Sequence, residues 1–303
     1  MKTLSLPFSL FSSLLLLPSW DLVAQEAVKE VMATVSQVRG QVTASGKQSG
    51  DLKAGSQLSS GTVIQTGNDG AVLIRPAPYI KVALLPSSQA RFNGSQIGAD
   101  GAAVSFELLE GTLFCRDQST EDTAGSTLKV TTSNCLITGK SGHFLVEQQG
   151  KRTMVANVVG DVTVRIAEGG GTVELGTGNV IVLQPNQQGR LEVKVIDLTN
   201  GTMVTIAEDG SRGPVERADA LLMAQAANRM AAGIALTLTE SGGTLPDAVQ
   251  ALVQQISQVV PGFTADVASQ PTTPTSPQQV LNPDFVSSNN NGNQPTASPD
   301  APR

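Results

Sequence analysis

One spacing recurs three times in this chain, and it constrains the fold more than any other feature. It reads Val35-x-x-Val38-x-Gly40-x-Val42, then Phe106-x-x-Leu109-x-Gly111-x-Leu113, then Val155-x-x-Val158-x-Gly160-x-Val162. A glycine set into strand-like alternation marks a bulge, a sharp bend or a close approach of two backbones. Three copies predict strand-bend-strand units that bury one another, with Gly40, Gly111 and Gly160 as structural glycines. Their irregular spacing favours a short β-roll over a long regular solenoid.

The surrounding sequence supports a mainly β body. Val, Ile, Leu and Thr alternate with polar residues, and Gly or Asn-Gly interrupts them roughly every eight to twelve residues. Val35 to Val42, Ala71 to Arg75, Ile80 to Leu85, Val104 to Leu108, Leu128 to Thr132, Thr153 to Val159 and Leu191 to Ile196 all read as strands. Asn93-Gly94 and Asn200-Gly201 predict turns, because both residue types tolerate positive φ. The period then changes. Pro214 suits a first helical position, and Val215 to Ala232 is rich in helix formers. A second helix is predicted over Pro246 to Val260, capped by Thr244, with Val249, Leu252, Val253, Ile256 and Val260 on one face. Ser241-Gly242-Gly243 separates the two. The expected role of this helical hairpin is to pack on the sheet, with partner binding as the alternative.

The two ends read differently from the body. Lys2 precedes a short apolar run from Leu4 to Leu17, and Leu22-Val23-Ala24 offers a cleavage site after Ala24. Residues 1–24 are therefore expected to be a signal peptide, placing the mature protein in the periplasm or outside the cell; an uncleaved anchor is the alternative. Ser269 to Arg303 is dominated by Pro, Ser, Thr, Asn and Gln and cannot bury enough apolar surface to offset ordering. Its apolar pairs, Val280-Leu281 and Phe285-Val286, read as short docking points or as isolated residues in a spacer. The expected organisation is signal peptide 1–24, β module 25–212, helical hairpin 213–262 and disordered tail 263–303.

Counting excludes most chemistry. A net charge of −6 with 15% charged residues argues against a nucleic-acid partner, which needs a concentrated basic face. His143 is the only histidine, so multi-histidine metal sites are excluded within one chain, and it reads as a structural residue of a strand start. There is no Gly-x-Ser-x-Gly elbow and no phosphate-cradling loop, and Gly169-Gly170-Gly171 reads as a hairpin tip. Glu121-Asp122 and Glu208-Asp209 read as solvated loop charges. We therefore expect no catalytic, cofactor or metal residues. Cys115 and Cys135 form the only cysteine pair; in an exported chain they are candidates for a disulfide, with two buried free thiols as the alternative.

The stretch from Ala33 to Pro185 resembles the FecR domain family. Its motifs here are Val38-x-Gly40-x-Val42, Leu52-Lys53-Ala54-Gly55, and Gly61 to Gly67. Leu128 to Ser133, Lys140 to Val146, Val158-x-Gly160-x-Val162 and Gly178 to Val182 follow, with Ser133 at the family's proline position and Lys140-Ser141-Gly142 in place of Arg-Gly-Thr. The resemblance implies a solenoid-like periplasmic β module, used in regulators that sense an outer-membrane receptor and control a sigma factor. That role also requires a membrane span and a sigma-binding segment. The expected function is thus a non-catalytic exported binding or scaffold module with a protein or envelope-polymer partner and no stable membrane span after cleavage. The alternative is a trans-envelope, anti-sigma-like sensor on an uncleaved anchor, and a degenerate polysaccharide-directed enzyme is the third reading.

Overall fold

The glycine of every repeat copy lies where the chain passes from one β layer to the other. The computed structural model describes residues 29–119, 125–167, 171–206, 211–240, 246–260 and 263. In chain order the strands are β1 (Lys29–Val31), β2 (Ala33–Arg39), β3 (Val42–Ser45), β4 (Gly50–Asp51), β5 (Gln57–Leu58), β6 (Thr62–Thr66), β7 (Ala71–Ala77), β8 (Ile80–Leu84) and β9 (Gln89–Gly98). They continue as β10 (Gly101–Asp117), β11 (Thr127–Thr131), β12 (Cys135–Gln149), β13 (Arg152–Ile166), β14 (Thr172–Leu175), β15 (Asn179–Pro185), β16 (Leu191–Asp197), β17 (Thr202–Ile206) and β18 (Arg212–Arg217). Helices α1 (Ala220–Glu240) and α2 (Asp247–Val259) follow; no helix among the described residues is long and apolar enough to cross a membrane.

The strand registers resolve into two layers. In the first, β2, β7, β8, the end of β10, the end of β12, the start of β13, β15, β16, β17 and β18 lie side by side. In the second, the order is β4, β3, β6, β9, the start of β10, β11, the start of β12, the end of β13, and β14. Thus β10, β12 and β13 each serve both layers, and β2 and β3 do the same across Gly40. Pairing is antiparallel except between β10 and β11, whereas the coils of a regular β-helical solenoid stack in parallel. The first layer does not close on itself, because the register of β18 is with β17 alone.

The bend at the centre explains why glycine is required. Gly142 of β12 and Gly160 of β13 are register partners, with φ of +114° and +100°. A Cβ on Gly142 would lie 2.8 Å from Gly160 Cα, and one on Gly160 would lie 2.9 Å from Gly142 Cα. The two strands turn the corner with their backbones in contact, which only glycine permits. The buried Asn157 amide ties the corner down, donating to the carbonyls of Gly160 at 2.8 Å and Leu175 at 2.7 Å.

Side-chain alternation then builds two cores. The cluster between the layers includes Ile74, Phe92, Phe106, Leu113, Val146 and Ile181, with the Phe92 and Phe106 rings tilted 5.2 Å apart. A second cluster covers the opposite face of the first layer, where Phe114, Leu145, Met154 and Val182 meet Met230, Ile234, Leu252 and Ile256 of the helices. The apolar face read for α2 is the face it buries. Gly233 lets α1 approach closely, since a Cβ there would meet Phe114 at 2.6 Å. Arg229 Nε lies 2.8 Å from Oε2 of Glu147, whose side chain is only 3% exposed on β12 beneath α1. Burial pushes the Glu147 carboxyl up from its ordinary value, and Arg229 and Arg152 draw it partly back.

Several expectations change. Pro214 and Val215 belong to the exposed strand β18, and α1 begins at Ala220, where Asp219 accepts the Leu222 N–H at 3.0 Å. The hydrogen-bonding carboxylate at the N-cap outcompetes the proline signal upstream. Asn93-Gly94 is a bulge inside β9, where Phe92 faces Phe106 and Gly94 faces Ser105. Asn200-Gly201 does form the β16–β17 turn. The leader with Ala24, both loop carboxylate pairs, Gly169-Gly170, Ser241 to Thr244 and the tail after Phe263 lie outside the described residues.

Cys115 and Cys135 are both buried free thiols rather than a disulfide. Cys115 pairs with Phe144, past the Gly142 corner, while Cys135 starts β12 in the other layer opposite Ile166. Nine residue steps along β12 separate Cys135 from Phe144, roughly 30 Å of strand around one corner, far beyond the Cα separation a disulfide spans. Burial raises both thiols, Cys135 to about 11 and Cys115 well above its ordinary value. Native protein is therefore expected to resist iodoacetamide at pH 8, and two thiols per chain to react after denaturation without reductant; recovery of none after denaturation would show that a bridge had formed.

Candidate binding groove

The inner face of the first layer carries one continuous cross-strand row. From Val72 and Leu84 it runs through Leu113, Val146 and Val155 to Ile181, each the register partner of the next. Directly paired residues point to the same face, and the row continues past Ile181 as Val195, Val204 and Val215. Leu113, Val146, Val155 and Ile181 are 0% exposed, whereas Val215 is 69% exposed. The second layer ends at β14, so β16, β17 and β18 extend beyond it.

That overhang forms a groove of about 220 Å³. Val173 and Glu174 of β14 form one wall, Val195 and Val204 the floor, and Arg212 and Val215 the outer rim. The register of β14 is with β13 alone, so among the described residues its other edge has no strand partner. An open edge above an apolar floor presents backbone donors and acceptors to an extended chain and a dry seat for alternate side chains.

One end of the groove is fixed by Asp197. Its carboxylate accepts hydrogen bonds from Thr199 N at 2.9 Å and Oγ1 at 2.6 Å, and from Asn200 N at 3.2 Å and Nδ2 at 2.7 Å. Burial pushes this carboxyl up, but the Thr199 and Asn200 hydrogen bonds outweigh it and hold it below the usual carboxylate range. A depressed folded-state value stabilises the fold above the ordinary carboxylate range, and that stabilisation is lost as pH falls through the folded value. In this half-buried turn, Asp197→Ala is expected to cost about 1 kcal/mol at pH 7 after solvent screening, and less at pH 3. Equal losses at both pH values in urea titrations would contradict it.

The residues singled out for chemistry do not converge. His143 is buried just after the Gly142 corner; burial and the neighbouring Arg116 lower its pKa to about 4, so it is neutral at pH 7. Its ring stands tilted against Phe114 at 6.2 Å. Among the described residues no three His, Cys, Asp or Glu side chains cluster to hold a metal ion. A larger hollow of about 570 Å³ lies near Cys135, Arg165 and Thr172. Its lining residue Thr132 is satisfied within the β11–β12 turn, its Oγ1 donating to the Cys135 carbonyl at 3.3 Å and accepting from Cys135 N at 3.2 Å. Sequence reasoning missed the groove because Val215 was read as helical and nothing in one sequence marks which layer ends first.

Fold and site thus define a mainly β protein with two layers, a helical hairpin on one face and an open groove at the overhang. No family profile and no curated protein matches the chain. Two crystal structures of a "putative anti-sigma factor" from Parabacteroides distasonis, at 1.65 and 2.50 Å, are similar at 19% identity with TM-scores of 0.34 and 0.35. The similarity covers 43% of this chain and 58% of the length of theirs.

Proposed function

We propose that the protein is a non-catalytic exported binding module of the bacterial envelope that accepts an extended protein segment as an added strand. The observation that carries this reading is the uncovered end of the core row, Val204 and Val215, beside the unpaired edge of β14. Export rests on the apolar leader ending at Ala24, and the FecR-like module on the motifs between Ala33 and Pro185. Seating a strand there would bury the two valines and engage the β14 backbone, and neither step needs a titrating group.

Amide exchange tests the reading on the full chain carrying Leu281→Asp and Phe285→Asp, so that its own C-terminal apolar residues cannot compete for the seat. Adding a Thr-Val-Thr-Val-Thr-Val peptide at 1 mM is expected to slow exchange in residues 172–175 at least fivefold. Val204→Asp should abolish that protection by placing an unpaired charge on the floor. No slowing in that chain, or equal slowing once Val204→Asp is added, would overturn the proposal.

A further inference from the structure

We infer that residues 280–286 of the same chain occupy this groove as the added strand beside β14. The inference rests on the reading of the groove as a strand seat, and names its resident. Phe263 is buried in the helix-side cluster, which anchors the chain at that residue. The end of α2 lies at the groove, since a Cβ on Gly201 would meet Val259 Cγ1 at 2.9 Å, and the adjacent Thr202 lines the groove. Sixteen residues lie between Phe263 and Val280. Extended, they span up to about 55 Å, several times the length of a five-residue strand such as β17.

Composition points to the same segment. Val280, Leu281, Phe285 and Val286 are the large apolar residues of the stretch from Ser269 to Arg303, and Asp284 among them complements Arg212 on the rim. Pro283 is compatible with the position, because an added strand becomes the new edge and a proline donor is not missed on a solvent-facing edge. A tethered segment also meets the groove at millimolar effective concentration, so a weak contact suffices. A second copy fits less well. Its β14 could pair with this one only by bringing its own first layer against the overhang, whereas a single tethered strand needs no second layer there.

Two measurements on the full chain test this. Hydrogen exchange in residues 172–175 and 202–206 is expected to be at least tenfold slower in the parent than in a Leu281→Asp, Phe285→Asp variant. If parent and variant exchange alike while the Thr-Val peptide still protects β14, the tail assignment falls and the strand-seat reading stands. If neither tail nor peptide protects, both fall. Val215→Cys with Phe285→Cys should form an intrachain disulfide under mild oxidation, giving monomer with one new bridge. Covalent dimers alone, or no bridge at all, would overturn residence within the same chain.

Discussion

Gly160→Val is expected to leave no folded protein at 25 °C. A side chain at φ +100° is strained in any surroundings, and here it also drives into the Gly142 and Ser141 backbone. Backbone cannot rotate aside as a flexible side chain can, and both layers pivot on this pair. The loss should exceed about 4 kcal/mol, a large part of the 5–15 kcal/mol typical of a domain. Gly189→Ala is the control, because φ there is +78° but nothing lies within 4 Å of the new Cβ. It should cost only about 1–2 kcal/mol. Circular dichroism and urea titration separate the two, and comparable losses would show that strain rather than contact at the corner limits stability.

The second large effect concerns the ion pair that fastens α1 to the sheet. Arg229→Met removes the cation paired with Glu147 and leaves a buried carboxylate compensated only by the more weakly acting Arg152. With Arg229 itself 33% exposed, the loss is discounted for screening to roughly 2–3 kcal/mol at pH 8. The sign of the pH dependence follows from the raised Glu147 value. A carboxyl whose folded value exceeds its unfolded one destabilises the fold when ionised, so stability is regained as pH falls through the folded value. The Arg229→Met deficit should therefore shrink between pH 8 and pH 5, and adding Glu147→Gln to it should remove most of both the deficit and its pH dependence. A deficit constant with pH would mean that α1 is held by Met230 and Ile234 packing rather than by charge.

The comparison of sequence and structure turns on what each signal reports. The Val-x-Gly-x-Val copies were legible because a glycine inside alternation has few physical explanations, and each copy is a corner between layers. The apolar face of α2 was legible for the same local reason. The failures were contests between two local signals. Pro214 read as a helix start, but the hydrogen-bonding cap at Asp219 set the boundary. Asn93-Gly94 read as a turn, yet flanking pairs on both sides carried β9 through it as a bulge. The two cysteines read as a pair because an exported chain was expected, but a corner separates them, which only the register reveals. The groove depended on where β14 stops relative to β18, a relation among strands that no single segment encodes.

Because β10, β12 and β13 each run through both layers, neither layer can detach while the other keeps its hydrogen bonds. The middle of the molecule should consequently melt in one calorimetric transition, with matching van't Hoff and calorimetric enthalpies. A pulling force applied along β12 would likewise load the entire body at once instead of peeling it strand by strand.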